Sequence, residues 1–336
     1  MFWSTPRIGK AIGGIPLSAL ALALCLGAPA ALAEDLILVR VNTFPSANNL
    51  PLHAGIVHGI FAKHGIKLEL QFTQNSTDQR NGLATGTFDI AHSASDNGVA
   101  MVEVAHQDIV IVAGSDSGMN EFFVRPEIKT FADIRGHTLV VDATNTAFAL
   151  TGKKILLKNG LKEGEYKLNP AGNSAARFKA MSDDKENVAA VLGLPVSLQA
   201  EKAGMKSLGS VVGMLGPYQA NSVFVMRAWA EANAGLLTRY LAAYVESVRW
   251  VLDPAHRADC LVLLSEKMKL SPQDAERTYQ LLTDPSFGLT PDAKIDPEGF
   301  RNMLALRAET EGGKPAGPER YLELKYYDAA IKLVGR

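Results

Sequence analysis

Leu36-Ile37-Leu38-Val39, then a polar loop from Asn42 to Asn48, then a helical segment ending at Lys63-His64-Gly65-Ile66 is the stretch that decides the fold. The same phrase is written again further along the chain. Thr138-Leu139-Val140-Val141 runs through Ala143-Thr144-Asn145-Thr146 into a second helical segment ending at Lys158-Asn159-Gly160-Leu161. Both copies read as strand, polar loop and helix. A glycine suited to the left-handed turn after a helix follows, with an apolar residue beyond it. A polar loop that feeds a helix N-terminus is where α/β sheets hold ligands, because free backbone N–H groups point out of it. Two such edges in one chain predict two lobes facing a shared cleft.

Working outward, residues 1–33 read as a cleavable secretory signal. Arg7 and Lys10 are their only charges, an apolar run follows from Ile12 to Leu26, and Ala31-Leu32-Ala33 makes a small-residue cleavage site. Gly13, Gly14, Pro16 and Pro29 interrupt the run, which is short for a membrane span. Leu24 is bulky where lipoprotein processing at Cys25 wants a small residue. A periplasmic, soluble mature protein is expected, large enough for two lobes. The formal net charge of −1 becomes more negative once Arg7 and Lys10 leave. No basic stripe remains to follow nucleic acid. Cys260 is then the only cysteine, which excludes an internal disulfide and a cysteine metal site.

From 36 to 118 short apolar runs at Ile37–Val41, Lys67–Phe72, Phe88–Ala91 and Ile109–Ala113 alternate with helix-like stretches at 49–63, 76–85 and 95–105. That alternation predicts a mostly parallel sheet covered on both faces. The scheme repeats from Thr138 to Val212, and the Arg80-to-Ser93 stretch has an echo from Arg177 to Gly193. Glu121-Phe122-Phe123-Val124-Arg125-Pro126 and Ser222-Val223-Phe224-Val225-Met226-Arg227 sit where the chain leaves the first lobe and returns. They read either as paired hinge strands or as ordinary core strands. After Trp229 the pattern is helical, including 296–311 and 318–334 on either side of a Gly312–Pro318 loop. This tail is expected to pack on the first lobe.

Three patches carry a family resemblance: Gly59-Ile60-Phe61-Ala62-Lys63-His64-Gly65-Ile66-Lys67-Leu68-Glu69-Leu70, Leu83-Ala84-Thr85-Gly86-Thr87-Phe88-Asp89-Ile90-Ala91, and Phe131-Ala132-Asp133-Ile134-Arg135-Gly136-His137-Thr138-Leu139-Val140-Val141-Asp142. With them the chain resembles the periplasmic solute-binding proteins of ABC importers for nitrate, sulfonates, taurine and thiamine precursors. Asn187 departs from the aspartate that many members carry in lobe two. The resemblance implies an α/β, bilobed type II periplasmic-binding-protein fold. Two parallel-rich sheets would be joined by a two-strand hinge and followed by a helical C-terminal tail. Lobe I would comprise 34–121 and 226–336, and lobe II, hinge strands included, 122–225. It further implies a monomer without cofactor that closes on one small molecule and delivers it to an ABC permease, whose ATPase is a separate chain. No phosphate-binding Gly-x-x-x-x-Gly-Lys-Ser/Thr loop occurs here.

Pocket candidates follow from the strand-end loops. Thr43, Phe44 and Ser46 come after the first strand, Gln74 and Asn75 after the second, and Ser93, Ser95 and Asp96 after the third. Ser115 and Asp116 close the next run. Across the cleft stand Thr144, Asn145 and Thr146, then Asn173, then Leu194 and Pro195. Their hydroxyls serve equally as helix caps. Helix starts favour an anionic solute, whereas Asp96 or Asp116 in the cleft would favour a cationic or amine-bearing one; surface placement of both is the alternative. His53, His58 and His64 are spaced too unevenly to share a helix face as metal ligands. Gly114-Ser115-Asp116-Ser117-Gly118 has aspartate where a hydrolase would need its nucleophile. The expected role is therefore solute capture. Two alternatives stay open: an enzyme on the same scaffold acting on a pyrimidine or small carboxylic acid, with His92 as its acid–base group, or a sensor subunit for a membrane receptor.

Overall fold

The computed structural model describes residues 36–311, 313–314 and 316–335. The predicted signal at 1–33, Cys25 within it, and Gly312 and Pro315 of the predicted loop lie outside these residues. Among the described residues ten strands occur in chain order: β1 (Ile37–Thr43), β2 (Ile66–Phe72), β3 (Ile90–Ala94), β4 (Ile109–Asp116), β5 (Glu121–Val124), β6 (Thr138–Val141), β7 (Lys167–Pro170), β8 (Asn187–Leu192), β9 (Lys206–Ser210) and β10 (Asn221–Met226). They build two five-stranded sheets, ordered β2-β1-β3-β10-β4 and β7-β6-β8-β5-β9.

The two sheets share one plan. In the first, β1 lies parallel between β2 and β3, and β10 runs antiparallel between β3 and β4. In the second, β6 lies parallel between β7 and β8, and β5 runs antiparallel between β8 and β9. The helical segments that follow β1 and β6 end as expected. Gly65 (φ 73°) and Gly160 (φ 86°) adopt the left-handed conformation that a Cβ would oppose. The first helix is broken: it runs Leu50–Val57 and resumes at Ile60–Lys63 after Gly59, itself at φ 69°.

β5 and β10 do not pair with each other. Each is a buried core strand inserted into one sheet, so the paired-hinge-strand reading is corrected. Apolar side chains on both faces of β5 and β10 are satisfied only inside a sheet covered on both sides. The chain instead crosses between the sheets at 117–120 and 216–220, and these crossings lie side by side. The Gln219 side-chain amide donates to Asn221 O at 2.6 Å and to Asp116 O at 3.4 Å. A Cβ on Gly118 would stand 2.6 Å from that of Ala220. Pairing also puts Asn221–Val225 in the first sheet, although the expected boundary gave those residues to lobe II.

The long helix Ala234–Leu252 buries Leu237, Tyr240, Leu241, Tyr244, Val245 and Val248 against Val39 and Val41 of β1 and Val223 of β10. The final helix, Lys325–Val334, joins the same core through Tyr326, Tyr327 and Ala330. The tail reaches further than expected. Phe300 and Met303 of the helix Pro297–Glu311 share a core cluster with Leu150 of the second half, and Lys154 pairs with Glu309 at 2.6 Å. On another flank Lys202 pairs with Asp274 at 2.6 Å. Among the described residues no helix is long and apolar enough to cross a membrane.

Two consequences can be measured. Gly114 of β4 faces the backbone of Lys294, whose carbonyl oxygen would stand 2.4 Å from an added Cβ. Gly114→Ala should therefore lower stability by roughly 1–3 kcal/mol in urea unfolding. In β3, His92 is buried with Nε2 2.6 Å from the Tyr240 hydroxyl, and burial pushes its imidazole down to about 3. The unfolded chain, at its ordinary value near 6.5, binds a proton that the folded protein refuses between those two values. Stability is therefore lost as pH falls through that window. Between pH 7 and 5 the wild type should lose about 2 kcal/mol more than His92→Gln; equal losses would place the imidazole in water.

Candidate functional site

Parallel strands aim their C-terminal ends, and the loops beyond them, toward one edge of a sheet. Here both sheets present that edge to the same cavity. Its volume is about 80 Å³, room for roughly five to eight water molecules. The first half contributes Thr43, Phe44, Ser46 and Asn48 after β1, Ser93 of β3, and Ser115 and Asp116 at the end of β4. The second contributes Asp142 after β6, Asn173 and Ser174 after β7, and Gly193 and Leu194 after β8.

Not every predicted residue reaches it. Thr144 and Asn145 are exposed and stand outside the wall. The loop turns outward there, so the helix Ala147–Lys158 starts late enough to present Phe148 instead. Thr146 is buried, but its hydroxyl is spent on the Asp142 carboxylate and on Ala143 O. Asn75 caps the helix Ser76–Ala84 by accepting from Asp78 N at 2.8 Å. Ser95 Oγ bonds Ser222 Oγ at 2.5 Å behind the wall. Asp96 is buried in an ion pair with Arg307 at 2.7 Å and is neither surface nor pocket. Pro195 turns away, whereas Leu194 lines the cavity. Gln74 lies outside, where Asn173 reaches across and donates to its side-chain oxygen at 2.6 Å and, from the backbone, to its carbonyl at 3.1 Å.

That contact belongs to a seam between the halves. Ser76 Oγ donates to Asp142 Oδ2 at 2.9 Å, and Asn97 Nδ2 donates to Ser76 Oγ at 3.1 Å. Ala47 N donates to Leu194 O at 3.2 Å. A serine hydroxyl carries one proton, and the carboxylate takes it. Asn97 must then be the donor to Ser76, which fixes the orientation of its amide.

Sequence reasoning missed Arg177, the one permanent cation that the described residues place in the wall. Only 1 % exposed, it lies on the helix Ser174–Asp183 with its guanidinium 4.3 Å above the Phe148 ring. It donates to Gly172 O at 2.7 Å, Ser174 Oγ at 3.0 Å and Val191 O at 3.1 Å. Burial lowers it to about 10, opposed by the attraction of Asp142, so it remains charged at neutral pH. Its echo of Arg80 was the available signal, but a helical arginine ordinarily reads as surface.

Asp116, predicted either for the cleft or for the surface, is fully buried and lines the cavity. It accepts from Asn221 Nδ2 at 2.8 Å and Ser115 Oγ at 2.9 Å. Tyr244 donates in turn to Ser115 Oγ at 3.1 Å. Desolvation raises the Asp116 carboxyl above its ordinary value, although hydrogen bonds from Asn221, Ser115, Asn48 and Gly118 pull the other way. Among the described residues neither lysine nor cysteine stands in the wall.

Comparison with solved structures places this architecture among known ones. The nitrate-binding protein NrtA of Synechocystis PCC 6803 superposes with a TM-score of 0.73 at 14 % identity, covering 90 % of each chain. The aliphatic sulphonate binding protein SsuA of Escherichia coli gives 0.64 at 17 %, covering 85 % of this chain and 92 % of its own. A DSZB mutant in complex with biphenyl-2-sulfinic acid gives 0.62 at 13 %, covering 88 % and 99 %. At these identities the likeness establishes the periplasmic-binding-protein fold. Comparison with curated proteins gives no match. Residues 46–257, spanning the β1 loop, both crossings and the whole second sheet, match the family described as NMT1/THI5 like, and the chain belongs to that family.

Proposed function

We propose that the protein is the periplasmic solute-binding component of an ABC importer. It captures one small polar organic molecule with an anionic group and hands it to a permease served by a separate ATPase. The observation that carries this reading is a polar cavity walled by strand-end loops of both halves, with a charged, buried arginine in it. In this reading residues 36–116 with 221–335 form one lobe and 121–215 the other, and the segments 117–120 and 216–220 are the hinge. Thr43, Phe44, Ser46, Ser93, Asn173 and Leu194 contact the solute from the two sides.

Mechanism follows from the seam. Ser76 and Asp142 meet only when the lobes are together, so any solute that touches both walls shifts the population toward that form. Arg177 supplies the charge for an anionic group, and Ser174 and the loop hydroxyls supply orientation. Burying an anion against an arginine already stripped of water avoids the arginine's share of the desolvation that such a pair would otherwise cost. His92 is held neutral with Nε2 engaged by Tyr240, which favours a carrier over acid–base chemistry. The sulfonate and nitrate proteins of the same fold bind small oxyanions by name, which agrees with this assignment.

Native mass spectrometry of the exported protein should find one bound small acid. Adding that acid to stripped protein should reduce the radius of gyration in X-ray scattering; binding without compaction would exclude the closing mechanism. Ser76→Ala should weaken binding about fivefold, the worth of one hydrogen bond of roughly 1 kcal/mol. Unfolding of the stripped protein should barely change. An unaltered Kd would show that the seam forms independently of the solute.

A further inference from the structure

Among the described residues, no charge of the cavity wall has an ionic partner in direct contact, and Arg177 and Asp116 are the two most deeply buried of them. Arg177 donates to neutral oxygens, those of Gly172, Ser174 and Val191. Asp116 accepts only from neutral donors: Ser115, Asn221, Asn48 and the Gly118 backbone. The fold pairs other deeply buried ions directly, as Arg307 with Asp96 at 2.7 Å shows.

The two charges are not balanced alike. Asp142 acts on Arg177 electrostatically, and that carboxylate is held in place by Ser76 and Thr146. Asp116 has no described cation in the same position. His92, the remaining titratable group of the wall, is neutral at physiological pH. Asp142 lies within electrostatic reach of both Arg177 and Arg80, so Asp116 is the carboxylate of the wall that no described cation balances. Four neutral dipoles solvate a carboxylate without cancelling its unit charge, and desolvation still outweighs them at Asp116. A purely anionic guest would satisfy Arg177 and worsen the surplus at Asp116.

We propose that the solute is a small zwitterion, with its anionic group at Arg177 and a positively charged nitrogen at Asp116. This rests on the solute-binding reading above and narrows it. Asp116 would then set specificity, and Arg177 would hold the group common to all anionic candidates.

Calorimetry with two matched pairs tests this: ethanesulfonate against 2-aminoethanesulfonate, and propanoate against 3-aminopropanoate. In at least one pair the amino compound should bind wild-type protein tenfold or more tightly than its parent. Asp116→Asn, which preserves an acceptor oxygen at the same place, should abolish that preference, so that the amino compound binds no more tightly than its parent. If that variant does not fold, the wild-type preference alone decides. Equal or tighter binding of the amine-free member in every pair that binds overturns the zwitterion and leaves the importer reading standing. If none of the four binds, the co-purified solute decides: a basic nitrogen beside an acidic group supports the proposal, and an acid without one overturns it. No binding together with no co-purified solute overturns both.

Discussion

The arrangement depends on an exchange of strands. Each half builds four strands of a sheet from its own stretch of chain and takes the fifth from a segment that has just crossed over. β10 is pinned between β3 and β4, and β5 between β8 and β9, each hydrogen-bonded on both sides. The crossing at 117–120 is therefore anchored at both ends in regular pairing, and that at 216–220 runs from the helix Val211–Leu215 into β10. The two loop edges face one another, because the first crossing leaves from the cavity end of β4 and the second delivers the chain to the cavity end of β10. Asp116 closes β4 and Asn221 opens β10, so the point of exchange is itself part of the wall.

That placement explains the character of the site. A cavity built from strand ends is rich in backbone and hydroxyl groups, which orient a guest without strongly favouring one charge. The charged groups decide. Arg177 and Asp116 are both withdrawn from water and solvated by neutral neighbours, and their burial moves each toward its uncharged form. A site prepared in this way has already met its own share of the desolvation cost, so binding has only the guest's share left to cover.

Much of this was legible in the residues because the strand–loop–helix phrase is local. Leu36–Gly65 and Thr138–Gly160 place their glycines where the backbone needs a positive φ, and the alternation of apolar runs located the parallel strands. Thr43, Ser93, Asp116, Asn173 and Leu194 came together because strand polarity alone assigns them to one edge. Thr144 and Asn145 went astray for a reason of phase: the turn after β6 swings the loop outward and brings Phe148 in. Arg177 was invisible because its place is set by what surrounds it, namely a carbonyl from each of two segments and an aromatic face supplied by another helix. Neither periodicity nor spacing encodes that environment. The choice between hinge strand and core strand for Glu121–Val124 and Asn221–Met226 depended on partners far away in the chain, which composition does not name.

The exchanged strand also imposes an order in time. While the polypeptide emerges from the ribosome, β3 and β4 are complete long before β10 exists, and in the finished sheet those two strands never touch. A nascent chain cut short before Asn221 holds two separated edges with nothing to fill the space between them, so its first sheet cannot close. Consolidation must wait until about two thirds of the protein has been synthesised.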